Sequence, residues 1–299
     1  MAFIAVLVSA VFPIALIALI GLWAGRAFAL DLRTLARLNI YVLIPALVIM
    51  GLSGSRIEAR SAAGIVGGYA ICSGLLYLIA AVSGRLLKLS ADERKSLIAT
   101  TLFANTGNIG LSFILFTLGQ AGLTRAVVYL VASSILIASL GPIVLKGEGI
   151  RVGIRFTLRL PVFWATGAGL AIQVLAIQIP TALSRGIETL GDAAIPMALL
   201  TLGIQLSQTQ IAFGSYELFA ASLRLFLAPL LAYLVSHALG LSGLDLQILV
   251  MQGAMPVAVN ALIWVSELGG DAPRVARTIV LSTLMSFFTL PLMLWLSTH

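Results

Sequence analysis

The chain is written in long apolar blocks joined by short polar connections. Apolar runs fall at about 3–25, 36–54, 62–84, 94–118, 124–145, 158–179, 187–207, 216–240, 246–267 and 275–297. Roughly 20 apolar residues is the length an α-helix needs to cross a bilayer, whereas a barrel strand would alternate over about 10. The pattern predicts an all-α integral membrane protein of ten transmembrane helices. The connections are too short for a soluble domain, so function is expected within the membrane. Composition agrees: of 299 residues, 60% are hydrophobic and 10% charged, with mean hydropathy +1.10, against about 25% charged residues in a soluble domain. The first block is apolar from Met1, and Arg26 follows it. A cleaved signal peptide has the opposite charge order, so this block is expected to be a permanent span.

The net charge of +7 is explained by topology rather than by a nucleic-acid partner. With the N-terminus outside, the inner connections near 26–37, 85–95, 146–159 and 274–277 hold thirteen of the eighteen Lys and Arg. The outer ones hold Arg56, Arg60, Arg125 and Arg185, and Arg224 lies inside a span. This bias places both termini outside a bacterial cytoplasmic (inner) membrane. The single cysteine, Cys72, excludes a disulfide framework and a cysteine metal cluster. His237 and His299 are the only histidines, so no histidine-rich metal site is expected. No cofactor motif is present either.

Two stretches interrupt the apolar pattern. Phe103-Ala104-Asn105-Thr106-Gly107-Asn108-Ile109-Gly110 sits within the fourth block, and Gln252-Gly253-Ala254-Met255-Pro256-Val257-Ala258-Val259-Asn260 within the ninth. Gly weakens a helix, Asn offers competing side-chain hydrogen bonds, and Pro removes a backbone donor. Non-helical backbone survives at membrane depth only where protein buries it or a wet cavity lines it. Small residues also serve as packing seams between helices, but the positions repeat. Pro45 and Pro196 stand 151 residues apart, Ser133 and Ser282 149, Pro142 and Pro291 149, and Asn105 and Pro256 151. The chain therefore divides into halves 1–148 and 149–299 of five spans each. Five is odd, so the halves are inverted, with breaks in spans four and nine.

Corresponding breaks in inverted halves point to a transporter's binding site. Each break frees backbone N–H groups at the positive end of the following half-helix. Two such ends meeting at mid-membrane make an anion site without Lys or Arg. Candidate substrate-binding residues are Asn105, Thr106, Gly107, Asn108, Pro256 and Asn260. The asparagine amides can donate to a carboxylate; their oxygens can instead hold a cation or a polar group. Pro45, Pro196 and Gly110 are assigned to helix breaking or scaffold packing. Ser133, Ser134, Ser282 and Thr283 either line the same cavity or bond their own helices.

These stretches, with Ser282-Thr283 and Thr289-Leu290-Pro291, resemble the auxin efflux carrier family of the bile acid and arsenite transporter superfamily, over essentially the whole chain. The resemblance implies that spans four and nine cross in a mobile transport domain of spans 3–5 and 8–10. Spans 1, 2, 6 and 7 would form a scaffold that makes a homodimer in relatives. It also implies that Asn105 contacts a substrate carboxylate and that Pro256 is the span-nine crossover proline. Plant members often have proline where this chain has Ala104, so Gly107 and Gly110 are expected to supply the break. The long cytoplasmic loop of many plant members is reduced to about 146–159, which removes the expectation of control through that loop and puts auxin itself in question.

Intramembrane charges are costly and usually functional. Asp192, four residues before Pro196, could couple protons if burial raised its affinity for them; otherwise it caps a helix near the outer surface. Arg224 either neutralises an anion, pairs with Glu217 or another acid, or snorkels. The leading function is a secondary carrier of a small organic anion, a mono- or dicarboxylate, by elevator-type alternating access. Coupling to protons, sodium or nothing stays open. A passive anion channel or uniporter is the alternative, followed by a transport-dead sensor. An enzyme is not expected, since no HExxH motif, nucleophile elbow or convincing pair of intramembrane acids is present.

Overall fold

The computed structural model describes residues 7–53, 57–208 and 213–298. The start of the first apolar block, Arg56 and His299 lie outside the described residues. The described chain is helical, and the single β-type pairing in it joins Ala104 to Val257. In chain order the helices are α1 (Phe12–Ala27), α2 (Leu32–Ser53), α3 (Ala59–Leu86), α4 (Ala91–Leu102), α5 (Thr106–Lys146), α6 (Ile150–Arg159), α7 (Pro161–Val174), α8 (Thr181–Gln208), α9 (Ser215–Ala238), α10 (Gly243–Gly253), α11 (Asn260–Leu268) and α12 (Ala272–Thr298). Six of them, α2, α3, α5, α8, α9 and α12, are long and apolar enough to cross a membrane by themselves. α1 and α7 are apolar but shorter.

The expected spans four and five adjoin within α5, with a kink of non-helical backbone at Gly119 between them. The chain turns back there, with Gly119 at φ 64° and ψ −162°. Thr106 Oγ1 lies 3.3 Å from Ser133 Oγ although 27 residues separate them; a straight helix would hold them about 40 Å apart. Only glycine adopts that backbone without strain. The sixth block is shorter than its apolar run. α7 is only 14 residues long; Arg151, Arg155 and Arg159, one helical turn apart, sit on the separate helix α6 before it. Thr157 Oγ1 of α6 lies 2.8 Å from Ser139 Oγ of α5, which holds that helix against the bundle.

Pro45 does not break its helix, but α8 is interrupted by a turn at Ala193, three residues before Pro196. Elsewhere, too, proline leaves a mark upstream. Turns widened by one residue occur at Leu7–Val11, Asn39–Leu43 and Leu223–Leu227, each ending two residues before a proline (Pro13, Pro45 and Pro229). A proline ring crowds the carbonyl four residues back and offers no N–H to it, and a widened turn relieves both.

Packing falls into two groups. In one, α1 lies on α8 and α2 lies on α7 and α8. The α1–α8 contact is made backbone to backbone: a Cβ at Gly21 would overlap the Leu200 carbonyl, and one at Gly203 the Ala18 carbonyl. In the other, α3, α4, α5, α9, α10 and α12 pack together. Ion pairs hold this second group at both ends. At one end Asp245 accepts from Ser61 Oγ and Arg125 Nε, each at 2.7 Å. At the other, Arg274 pairs with Glu93 at 2.7 Å and Asp271 at 3.1 Å, and Arg277 with Glu217 at 2.8 Å. α8 also packs on the Thr106–Gly110 turn, linking the two groups beside the first break.

Candidate functional site

The two break-prone stretches meet. α4 ends at Leu102 and α10 at Gly253, and the segments that follow lie antiparallel. Asn105 N–H donates to Pro256 O at 2.8 Å, and Ala258 N–H donates to Phe103 O at 2.7 Å. Val257 N–H donates to Ser282 Oγ at 3.1 Å. Ala104 is 8% exposed and Val257 0%. Non-helical backbone is thus buried in protein with its polar groups paired, as the interior of a bilayer demands.

The first break is made by different residues from those the sequence suggests. Gly110 is helical at φ −60° and ψ −53°, and Gly107 belongs to the helical turn Thr106–Gly110. The non-helical residues are Phe103 (φ −88°, ψ 89°) and Asn105 (φ −78°, ψ 58°). Asn105 then caps the restarted helix: its Oδ1 accepts from Asn108 N–H at 3.1 Å, and its carbonyl accepts from Gly110 N–H at 3.0 Å. Asparagine is among the best N-caps, so one residue both ends the break and aims its amide into the crossing. Gly110 has another use. Its missing Cβ makes room for the Gln252 side chain.

Several polar atoms at the crossing are buried without a partner. They are Asn105 Nδ2, Gln252 Nε2 and Oε1, Thr101 Oγ1 and Thr283 Oγ1. Asn105 is 4% exposed, and Gln252 and Thr283 are fully buried. Leaving such a group unpaired costs about 1–3 kcal/mol, so their concentration sets the crossing apart from the apolar core around it. Gln252 was not a candidate from sequence. Glutamine is ordinary at a helix end, and only the packing against Gly110 shows that it is sealed in.

Thr106 lies beside Ser133, and Ser282 touches the second break; Ser133 and Ser282 are a pair matched by the internal repeat. Pro256 contributes its carbonyl to Asn105. Asn108 is half-buried, while Asn260, the first residue of α11, is exposed. Asn260 therefore stands at the rim of the crossing rather than within it.

Arg224 is 2% exposed and bound to the ends of both first half-helices. Its Nη1 donates to Thr101 O at 2.8 Å, its Nε to Met255 O at 3.0 Å, and its Nη2 to Gly253 O. The alternative partner Glu217 is excluded, because its carboxylate holds Arg277 and accepts from Gly214 N–H. Asp192 is elsewhere. It is exposed, so the burial that a proton-carrying role requires is not met. It lines a cavity of about 380 Å³ with Leu47, Phe116, Gln120, Glu188 and Pro196, between α2, α8 and the Gly119 bend. His237 is exposed, with its ring 4.3 Å from that of Tyr233.

Comparison with known proteins adds to this geometry. The family model described as "Membrane transport protein" matches residues 6–156 and again 150–294. An "Uncharacterized transporter" of Methanothermobacter thermautotrophicus is 28% identical over 268 residues, covering 88% of each chain. A "Putative malonate transporter" of Rhizobium meliloti is 27% identical over 65% of this chain and 64% of its own. "Auxin efflux carrier component 1" of Arabidopsis thaliana is 31% identical over 94 residues, 30% of this chain and 15% of its own.

Proposed function

Because this chain belongs to the membrane transport protein family that includes the auxin efflux carriers, and is a multi-pass membrane transporter rather than an enzyme, we propose that it is a secondary carrier for a small organic anion. The substrate carboxylate is held where the two broken helices cross. One observation carries the proposal: Asn105 Nδ2 is buried, unpartnered and placed at the paired breaks. The half-helices that begin at Thr106 and Asn260 add positive ends worth about half a charge each. An anion gains from both features, and a relative is named for the carboxylate malonate.

The architecture in this proposal is ten spans in two inverted five-span halves. The bend at Gly119 separates spans four and five, and α10 with α11 makes span nine. The two packing groups then act as scaffold (spans 1, 2, 6, 7) and mobile transport domain (spans 3–5 and 8–10), the latter sliding elevator-fashion. Homodimerisation through the scaffold, a bacterial inner-membrane location and external termini complete it. The ion pairs support the grouping of the connections into two sides, whichever side is external. Ser61, Arg125 and Asp245 all fall on the outer side by the charge bias and meet in one cluster. Glu93, Glu217, Asp271, Arg274 and Arg277 all fall on the inner side and meet in another.

Counterflow in proteoliposomes tests the reading. Vesicles loaded with unlabelled carboxylate should accumulate labelled carboxylate transiently, and Asn105→Ala should abolish this. Unitary currents without counterflow would move the passive channel ahead of the carrier.

A further inference from the structure

Arg224 raises a question that anion binding does not answer: a cation is sealed at the crossing and, among the described residues, no carboxylate pairs with it. Its three hydrogen-bond partners among the described residues are neutral carbonyls, Thr101 O on one broken helix and Gly253 O and Met255 O on the other. The acids at the near end of the domain are engaged elsewhere, Glu217 with Arg277, and Glu93 and Asp271 with Arg274. What balances the guanidinium is backbone. α4 and α10 both terminate here, and each helix C-terminus carries about half a negative charge on its unsatisfied carbonyls. Two such ends amount to about one negative charge, which one guanidinium neutralises.

Carbonyls from unwound backbone and half-helix C-termini, converging from two crossed helices, are also what a broken-helix carrier uses to hold a coupling cation. We infer that Arg224 is a tethered cation filling that place permanently, so that the crossing is assembled without sodium or any other soluble cation. The position is built rather than incidental. Arg224 lies in the widened turn Leu223–Leu227 that Pro229 imposes on α9, and its planar fork reaches both helices at once. In the open choice between proton, sodium and no coupling ion, the inference excludes a metal cation at these carbonyls. It depends only on the crossing geometry and not on the substrate being a carboxylate, so its test is run with no carboxylate present.

The experiment is thermal melting of purified protein in the chloride salts of choline, sodium, potassium and, at low millimolar levels, guanidinium. Wild type should melt at the same temperature in choline, sodium and potassium. Arg224→Ala leaves three buried carbonyls unpaired and should melt lower. It should then regain stability in sodium or guanidinium but not in choline, rising with the logarithm of cation concentration as mass action requires. Arg224→Lys keeps a charge at the same carbonyls and should stay independent of added cation, an outcome that mere volume filling would not produce. Sodium-dependent melting of the wild type, which needs no variant to fold, overturns the inference. So does an Arg224→Ala variant that responds equally to choline, sodium and guanidinium. Failure of the carboxylate reading would leave all these outcomes unchanged and is thereby told apart.

Discussion

Replacing Asn105 by Asp separates the structural task of this residue from its proposed task in binding. The structural task is the cap, in which Oδ1 accepts from Asn108 N–H at 3.1 Å. Asp caps a helix about as well as Asn, and the positive end of the half-helix offsets part of the cost of burying its charge at a residue only 4% exposed. Asn105→Asp should therefore keep the cap and lose stability only by the part of that cost left over, whereas Asn105→Ala should cost about 1 kcal/mol through the lost cap. Binding should behave in the opposite way. Asp removes the Nδ2 donor and puts a negative charge beside the bound carboxylate. For a separation of about 5 Å and an effective dielectric constant of about 20, that repulsion is about 3 kcal/mol, which weakens binding by more than 100-fold. Two melting curves per variant at neutral to alkaline pH, with and without choline salts of acetate, benzoate or malonate, measure both effects. An Asn105→Asp protein that melts like the wild type and is still stabilised equally by the same salt would refute the reasoning.

Other perturbations test other parts of the account. Gly203→Ala drives a methyl into the Ala18 carbonyl at the α1–α8 contact and should lower stability by about 1–3 kcal/mol through overpacking, read as a lower melting temperature. In a double-mutant cycle, Arg125→Ala and Asp245→Ala should show a coupling of about 0.5–1 kcal/mol, since the pair is 27% and 20% exposed, and the coupling should shrink with added salt. Asp31 caps α2, and the Thr34 hydroxyl, followed by the Arg33 amide, holds its carboxyl below the usual range. A lowered folded-state value means that the contribution is present above about pH 4 and is lost as pH falls through the lowered value. Asp31→Asn should flatten that acid limb in melting curves taken against pH.

How far the structure is legible in the sequence depends on how local each cause is. The Asn105 and Pro256 stretches stand out because three Asn, three Gly and a Pro are poor helix material in apolar blocks. Which residues of the first stretch make the break is less legible, because glycine is poor helix material anywhere whereas Asn105 acts through a cap that forms only where the helix restarts. The bend at Gly119 is visible as the joint between two blocks, because only glycine reaches that backbone without strain. The partners of Arg224 were beyond reach. They lie 29, 31 and 123 residues away and are backbone carbonyls, which carry no side-chain signal. Pro229, which widens the turn around Arg224, was the available clue. The exposure of Asp192 and the sealing of Gln252 are likewise set by which helices pack on them rather than by their neighbours in the chain.

The central claim is that the crossing of the two breaks is an anion site formed around Asn105. Its most direct test is the melting temperature of the wild-type protein across choline salts of small carboxylates, with neutral amides of matching shape as controls, beside Asn105→Ala. The account predicts that at least one carboxylate stabilises the wild type, that its amide does not, and that the variant responds to neither. Stabilisation by the amides alone, or an equal carboxylate response in the variant, would contradict it.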